Sequence, residues 1–381
     1  MSEIKVNSIK GVGATAAAIT VNNTDGTCTA NITNNLSNRN KLINGGMTVS
    51  QRNGTSTVTT TTYNIDRWQS MVDGTIGAYN FSQSTDSPNG FGNSYKVDVT
   101  TADTSLASTD AHIFRQKIEG QNLQDFAKGT SAAKQFALSF YIKTNKTGTY
   151  IAELFDDDNN RTCSKTYTVS DANWNRYTLT FPADTSGALT NDNGASLNVH
   201  FWLSAGSSFS GGSLASAWES KTDANRTVGM NVNLADSTSN EWFITGVQLE
   251  VGSVATDFEH RSFGDELARC QRYYQQYTNI MSVGYVPNNV SKSYSHGFNF
   301  PVEMRAAPTL TISNTGSTAG QYVSDGDTNR NVSSLNAHSS QTYQMEYYFN
   351  LSGDLADFRG AYAVSSTSTT HQTKYYLTAE L

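Results

Sequence analysis

Apolar and polar positions alternate over most of the chain. Phe136, Leu138, Phe140 and Ile142 interleave with Ala137, Ser139, Tyr141 and Lys143, and Tyr177, Leu179 and Phe181 repeat the pattern. Val199, Phe201 and Leu203 do the same, followed by Phe243, Val247 and Leu249. A period of two over so many segments predicts half-buried β-strands. Asp156-Asp157-Asp158-Asn159-Asn160 and Asn191-Asp192-Asn193-Gly194 punctuate them as loops. No long helical pattern interrupts residues 39–260, so that region is expected to be an antiparallel jelly-roll β-sandwich. A helix is predicted over 265–277, where Leu267, Cys270, Tyr274 and Tyr277 share one face and Asp265 and Glu266 occupy the first turn. It makes residues 261–280 a connector. Alternation resumes in 281–381, at Phe298, Phe300 and Val302, at Met345, Tyr347, Phe349 and Leu351, and at Tyr375, Leu377, Ala379 and Leu381. This stretch is expected to be a C-terminal β-sandwich tip. Residues 1–38 hold only short runs, Ile4–Val6, Ala18–Val21 and Cys28–Ile32, around the turn Asn23-Thr24-Asp25-Gly26. Such runs cannot bury a core alone and need partners. The fold class expected is therefore mainly β.

Composition agrees with that pattern and removes several functions. Ser, Thr and Asn supply 127 of 381 residues, whereas charged residues are only 15%. Hydroxyl and amide side chains suit strands and turns better than helices, which argues against an ordinary α/β enzyme. The net charge is −7 and Lys and Arg are nowhere concentrated, so no nucleic-acid partner is expected. No apolar run approaches the ~18 residues of a membrane span, and no membrane insertion is expected. Met1-Ser2-Glu3-Ile4-Lys5 lacks a basic stretch leading into an apolar one, which predicts folding in a cytoplasm. Cys28, Cys163 and Cys270 are odd in number and far apart, against a disulfide framework or a thiolate metal site.

Little chemistry stands out. His112, His200, His260, His296, His338 and His371 have no metal-ligand spacing, and neither a nucleophile elbow nor a phosphate loop occurs. No catalytic residue and no cofactor is expected. Asp156, Asp157 and Asp158 supply oxygens that a structural calcium could use, but they lack the glycine and distal glutamate of an EF-hand and read first as a turn. Aromatic side chains on the polar side of strands are more informative. If Val199, Phe201 and Leu203 face inward, His200 and Trp202 face outward; if Phe243 faces inward, Trp242 faces outward. Two outward tryptophans could form a platform for a sugar ring, or pack against a subunit or a second core layer. In the tip, Tyr348 is expected to point outward between Glu346 and Asn350, an aromatic flanked by hydrogen-bonding groups.

Several segments together resemble a known group. They are Leu42-Ile43-Asn44-Gly45-Gly46-Met47-Thr48-Val49-Ser50-Gln51-Arg52, Asp66-Arg67-Trp68, Ser87-Pro88-Asn89-Gly90-Phe91-Gly92-Asn93-Ser94 and Arg115-Gln116-Lys117-Ile118-Glu119-Gly120-Gln121. Ile244-Thr245-Gly246-Val247-Gln248-Leu249-Glu250-Val251-Gly252 follows, then Phe258–Phe263 and Glu266–Tyr274. Phe300-Pro301-Val302-Glu303-Met304-Arg305-Ala306-Ala307-Pro308 and Ala379-Glu380-Leu381 complete the set. In these the chain resembles the tail-fibre and other virion fibre proteins of marine bacteriophages, with a jelly roll like that of carbohydrate-binding modules. The resemblance implies a homotrimer, attached through residues 1–38 to a tail or capsid protein and binding a host-surface polysaccharide or receptor with its distal β domains. It places the protein in the virion. A capsid fibre or decoration protein of the same build, a secreted carbohydrate-binding module and a depolymerase are the alternatives. Leu267, Cys270, Tyr274 and Tyr277 are the expected assembly residues, and Gln321–Ser368, with the loops Ser324–Asn329 and Ser365–Ser368, is the stretch outside the resemblance where variable binding loops are expected.

Overall fold

A computed structural model describes residues 8–9, 19–21, 24, 28–30, 37–53, 62–278, 282–285, 291–314, 322–324, 329–351, 360–364 and 373–381. The two tip loops expected to bind, at 325–328 and 365–368, lie outside the described residues. Near the start, β1 (Ser8–Ile9), β2 (Ile19–Val21) and β3 (Cys28–Ala30) form a small antiparallel sheet.

The expected sandwich follows. Its strands in chain order are β4 (Tyr63–Ile65), β5 (Trp68–Asp73), β6 (Ala78–Ser84), β7 (Ser94–Thr101), β8 (Ala111–Glu119) and β9 (Phe136–Thr144). Then come β10 (Gly148–Asp156), β11 (Arg161–Val169), β12 (Asn175–Phe181), β13 (Ala195–Ala205), β14 (Glu219–Ser220) and β15 (Glu241–Val251). One sheet runs β14-β11-β10-β13-β8-β5-β4 and the other β12-β9-β15-β7-β6. Between them lies an aromatic core in which Trp68 stacks on Phe114 at 4.9 Å, and Phe140, Phe201 and Trp242 pack edge-on or tilted.

Simple alternation misassigns β15. Trp242 is fully buried in this core, while Phe243 lies on the opposite face with the Lys96 and Lys143 ammonium groups each 5.6 Å from its ring centre. The cause is a β-bulge between Thr245 and Gln248 against β9. Gly246 sits there at φ +62°, and a Cβ on it would lie 2.7 Å from Phe91. One extra residue exchanges the two faces, so Trp242 and Ile244 point inward before the bulge and Val247 and Leu249 after it.

The helix is shorter than its apolar stripe suggests. α1 spans Phe263–Gln271, with the Ser262 hydroxyl accepting from the Asp265 N–H. The chain then turns, and β16 (Tyr274–Thr278) pairs with the terminal strand. Tyr, Gln and Thr favour a strand once an edge is offered. Tyr274 and Tyr277 are therefore strand residues, not members of a helical face. Cys270 is buried beneath the helix and Leu267 half-buried.

The remaining strands are β17 (Ser282–Tyr285), β18 (Lys292–Asn299), β19 (Thr309–Asn314), β20 (Tyr322–Ser324), β21 (Asn329–Ser340), β22 (Gln344–Leu351), β23 (Gly360–Val364) and β24 (Thr373–Thr378). A three-stranded sheet, β16-β24-β19, adjoins a closed barrel, β17-β18-β22-β21-β20-β23. Closure leaves the barrel no free strand edge. Met345, Tyr347 and Phe349 are buried, as their alternation predicts.

Candidate functional site

On the outer face of the seven-stranded sheet, His200 and Trp202 point away from the main core as expected, yet neither is exposed. The segment between β13 and β15 folds back over them and seats Phe209, Leu214 and Met230 on Trp202, Ile113 and Ile151. Arg226 of that segment anchors it, donating from Nε and Nη2 to the fully buried Glu153 carboxylate at 2.8 Å each. The same carboxylate lies 2.9 Å from His200 Nδ1, accepts from Trp202 Nε1 at 2.9 Å, and takes the Thr162 hydroxyl. Burial alone would raise the Glu153 pKa, but Arg226 and the hydrogen bond from His200 overcome it and hold the carboxyl well below its usual range. Trp202 and Trp242 are thus two core residues and form no open platform.

Lower on the same face the side chains are only partly covered. The pairing of β5, β8, β13 and β10 aligns Gln69, Arg115, His200 and Glu153 in one row, and Lys117, Asn198 and Phe155 in the next. Arg115 and Lys117 are half-buried. Arg115 donates through Nε to Gln69 at 2.9 Å and forms no ion pair among the described residues; Lys117 has no side-chain partner among them. Asn198 donates to Asp157 at 2.8 Å, leaving its Oδ1 without a partner, as is His200 Nε2. Phe155 lies half-exposed, 5.9 Å from the His200 ring and nearly parallel to it. Burial and the neighbouring Arg115 depress the Lys117 pKa, while burial depresses that of Arg115. None of Arg115, Lys117 or Phe155 stood out in the sequence as a site residue, because their meeting depends on strand register.

The familiar motifs meet elsewhere, where the sandwich joins α1 and the C-terminal unit. Arg67, 1% exposed, lies 3.4 Å above the Tyr273 ring, pairs with Glu380 and donates to the Lys117 carbonyl at 2.7 Å. Arg52 reaches the same Glu380 at 2.8 Å and covers the Tyr274 ring at 3.8 Å. Gln51 binds Asp66 through both backbone and side chain and also donates to the Tyr274 carbonyl. Burial pushes the Asp66 pKa up to about 6. Arg272 donates to both oxygens of Glu119, at 2.9 and 2.8 Å, and Tyr273 adds its hydroxyl. Arg305 donates to the carbonyls of Ala379, Glu380 and Asn193. Gly45 leaves no room for a side chain, since a Cβ there would stand 2.1 Å from the Val247 carbonyl oxygen. These residues form a joint, not a binding site. A cleft of about 690 Å³ beside it is lined by Asn38, Glu259, Arg261, Asp265, Arg269 and Glu303, among others.

Tyr348 does point outward, half-buried on β22. Its ring lies 5.3 Å from Tyr294 and 5.2 Å from the Lys292 ammonium, with Glu346 and Asn350 two positions either side on the same face. The aspartates at 156–158 diverge. Asp156 is fully buried against Lys128 Nζ, Asp157 takes the Asn198 amide, and Asp158 accepts from the Thr190 N–H at 2.8 Å. A lysine ammonium thus stands where a cation would have to bind. Among the described residues no group of three or more His, Cys, Asp or Glu side chains could hold a metal ion, and no helix is long and apolar enough to cross a membrane.

No protein-family profile matches the chain, and no curated protein does. Among solved structures it is similar to the enzymatically active domain of bacteriophage CBA120 tailspike protein 4, at 16% identity and TM-score 0.31, covering 56% of this chain and 21% of that one. A family 11 carbohydrate-binding module from Clostridium thermocellum, in complex with a β-1,3-1,4-mixed-linked tetrasaccharide, matches at 11% identity and TM-score 0.27 over 55% of this chain and all of its own. A cyclase from Fischerella sp. TAU matches at 14% identity and TM-score 0.32, over 56% of this chain and 96% of that one. At these scores none of the three bears on what this chain binds.

Proposed function

We propose that the chain is a subunit of a bacteriophage virion fibre, a homotrimer docked to the particle through residues 1–38, whose jelly roll and C-terminal barrel bind glycan on the host surface without catalysis. The observation that carries this reading is the buried joint. The motifs in which the sequence resembles virion fibre proteins converge on Arg67, Glu380, Glu119 and Arg272, and so fasten the sandwich to the distal unit through charge-assisted hydrogen bonds. A fibre has to hold its distal end at a set orientation, whereas a module hung from a secreted enzyme works on a flexible linker. Tyr348, with Tyr294 and Lys292 beside it, supplies the half-exposed aromatic face that a sugar ring stacks on. The test is to label intact particles with an antibody to the C-terminal unit and image them by electron microscopy, and to measure adsorption by particles carrying Tyr348→Ala. Label at the distal ends of fibres, with adsorption reduced severalfold at unchanged thermal stability, is the expected result. Particles without label would overturn the fibre assignment, and adsorption that falls only in step with stability would remove Tyr348 from the binding surface.

A further inference from the structure

Arg115 and Lys117 present an electrostatic conflict, since neither has an ion-pair partner among the described residues. They stand two residues apart on β8, which puts both on one face of the sheet, ~7 Å from each other along the strand. Like charges so placed repel, and the Glu153 and Glu119 carboxylates on the same sheet are taken by Arg226 and Arg272. The conflict sits in a chain of net charge −7, where unpaired cations are least expected to gather. Arg67 and Arg305 add to the positive field at Lys117, and Asp157 acts against them there. Directly across the strand pairing, the nine-tenths-buried His200 and Asn198 each keep one side-chain atom, Nε2 and Oδ1, without a partner. Phe155 supplies a half-exposed ring beside them. A strip that offers two cations without an ion-pair partner among the described residues and a half-exposed aromatic ring is complementary to a sugar ring bearing an oxyanion.

We propose that this strip of the seven-stranded sheet binds acidic saccharide units, with the carboxylate or sulfate held by Arg115 and Lys117 and the ring lying toward Phe155 and Asn198. The inference rests on the glycan-binding reading above and names its substrate class. The full-length protein is titrated calorimetrically with polygalacturonate and with its methyl ester, which keep one backbone and differ in charge, and with dextran sulfate against dextran. The acidic polymer of each pair should bind at least tenfold more tightly, with an affinity that weakens as salt screens the charges. Arg115→Gln with Lys117→Gln should abolish that preference. Lys117→Gln alone, at a side chain with no partner to lose, should fold, keep or raise the melting temperature, and still lower the affinity severalfold. Equal affinity within each pair, no binding of either acidic polymer, or variants that bind like wild type would overturn the proposal. Displacement by inorganic sulfate at equal charge concentration would reduce the strip to an inorganic anion site and overturn the saccharide part. Protein that adsorbs to host cells but does not distinguish the charged from the uncharged polymers would leave the glycan-binding reading standing without this site. Protein that binds neither cells nor polymers would remove both.

Discussion

Glu153 holds more of the outer face together than any other single side chain, because five donors from four residues converge on one buried carboxylate and one of them, Arg226, belongs to the covering segment. Glu153→Gln keeps the shape but turns an amide N–H₂ toward groups that all donate, and leaves Arg226 only the half-exposed Asp223 as a counterion. Breaking a buried pair this way costs about 3–5 kcal/mol, and urea unfolding should show a loss of that size. Glu153→Leu combined with Arg226→Met should cost much less, since the uncompensated charge is then gone. His112 makes a different prediction. Neither of its ring nitrogens has a hydrogen-bond partner, Tyr79 packs over it at 4.4 Å, and burial lowers its pKa from 6.5 to about 3. Between those values the unfolded chain binds a proton that the folded chain refuses, so stability is full above pH 6.5 and falls as pH drops towards 3, by ~1.4 kcal/mol per unit. His112→Leu removes that slope. Compared with wild type, the variant should gain about 2 kcal/mol on going from pH 7 to pH 5, in matched denaturant titrations. Asp66, with its raised pKa, slopes the opposite way in both proteins and cancels from the difference.

At the level of elements, the joint concentrates its charges on two acids. Glu119 accepts from Arg272, Tyr273 and Gln121, and although burial opposes it, those bonds hold its pKa below the usual value. Glu119→Ala should release the turn after α1, so that calorimetric unfolding passes from one transition to two and proteases gain access near residue 272. A single transition at nearly the wild-type temperature would mean that the sandwich and the C-terminal unit do not depend on this contact. The same elements show what the sequence could and could not tell. Period-two alternation is a local property, and it placed Phe136–Ile142, Val199–Leu203 and Met345–Phe349 on their correct faces. Trp242 and Phe243 were exchanged because a bulge at Gly246 leaves no mark in the alternation before it. Tyr274 and Tyr277 fitted a helical stripe by spacing alone, and only the presence of Thr373–Thr378, a hundred residues on, makes them a strand. Glu153 and Arg226 lie 73 residues apart, and Arg67 and Glu380 lie 313 apart. Partnerships at such separations are set by topology, so the outward Trp202 of the pattern became a covered one, and the half-buried cationic strip went unseen although Arg115 and Lys117 stand two residues apart in the sequence.

At the scale of the whole molecule, the remaining question is what the exposed apolar groups near α1 meet. Phe263, the first residue of the helix, is 61% exposed and Val254, in the loop before it, is 71% exposed, while Leu267 one turn on is only half-buried. Single exposed apolar residues are ordinary. Phe263, at the start of the only α-helix among the described residues and next in sequence to the residues lining the cleft at Asp265 and Arg269, makes an apolar patch that a second copy of the chain can cover. A three-fold axis passing this patch would bring three helices together and hide all three copies of Phe263. Light scattering at micromolar concentration should then report the mass of three 41.4-kDa chains. Phe263→Ser with Val254→Ser removes apolar area without touching any buried side chain, so the expected result is dissociation to monomer with the far-ultraviolet spectrum unchanged. Leu267→Asp should act in the same direction and more strongly, because the half-buried position forces a carboxylate into the seam when the trimer closes. A wild-type protein that elutes at the mass of one chain would overturn the trimer. A trimer that persists through both sets of changes would move its interface away from α1.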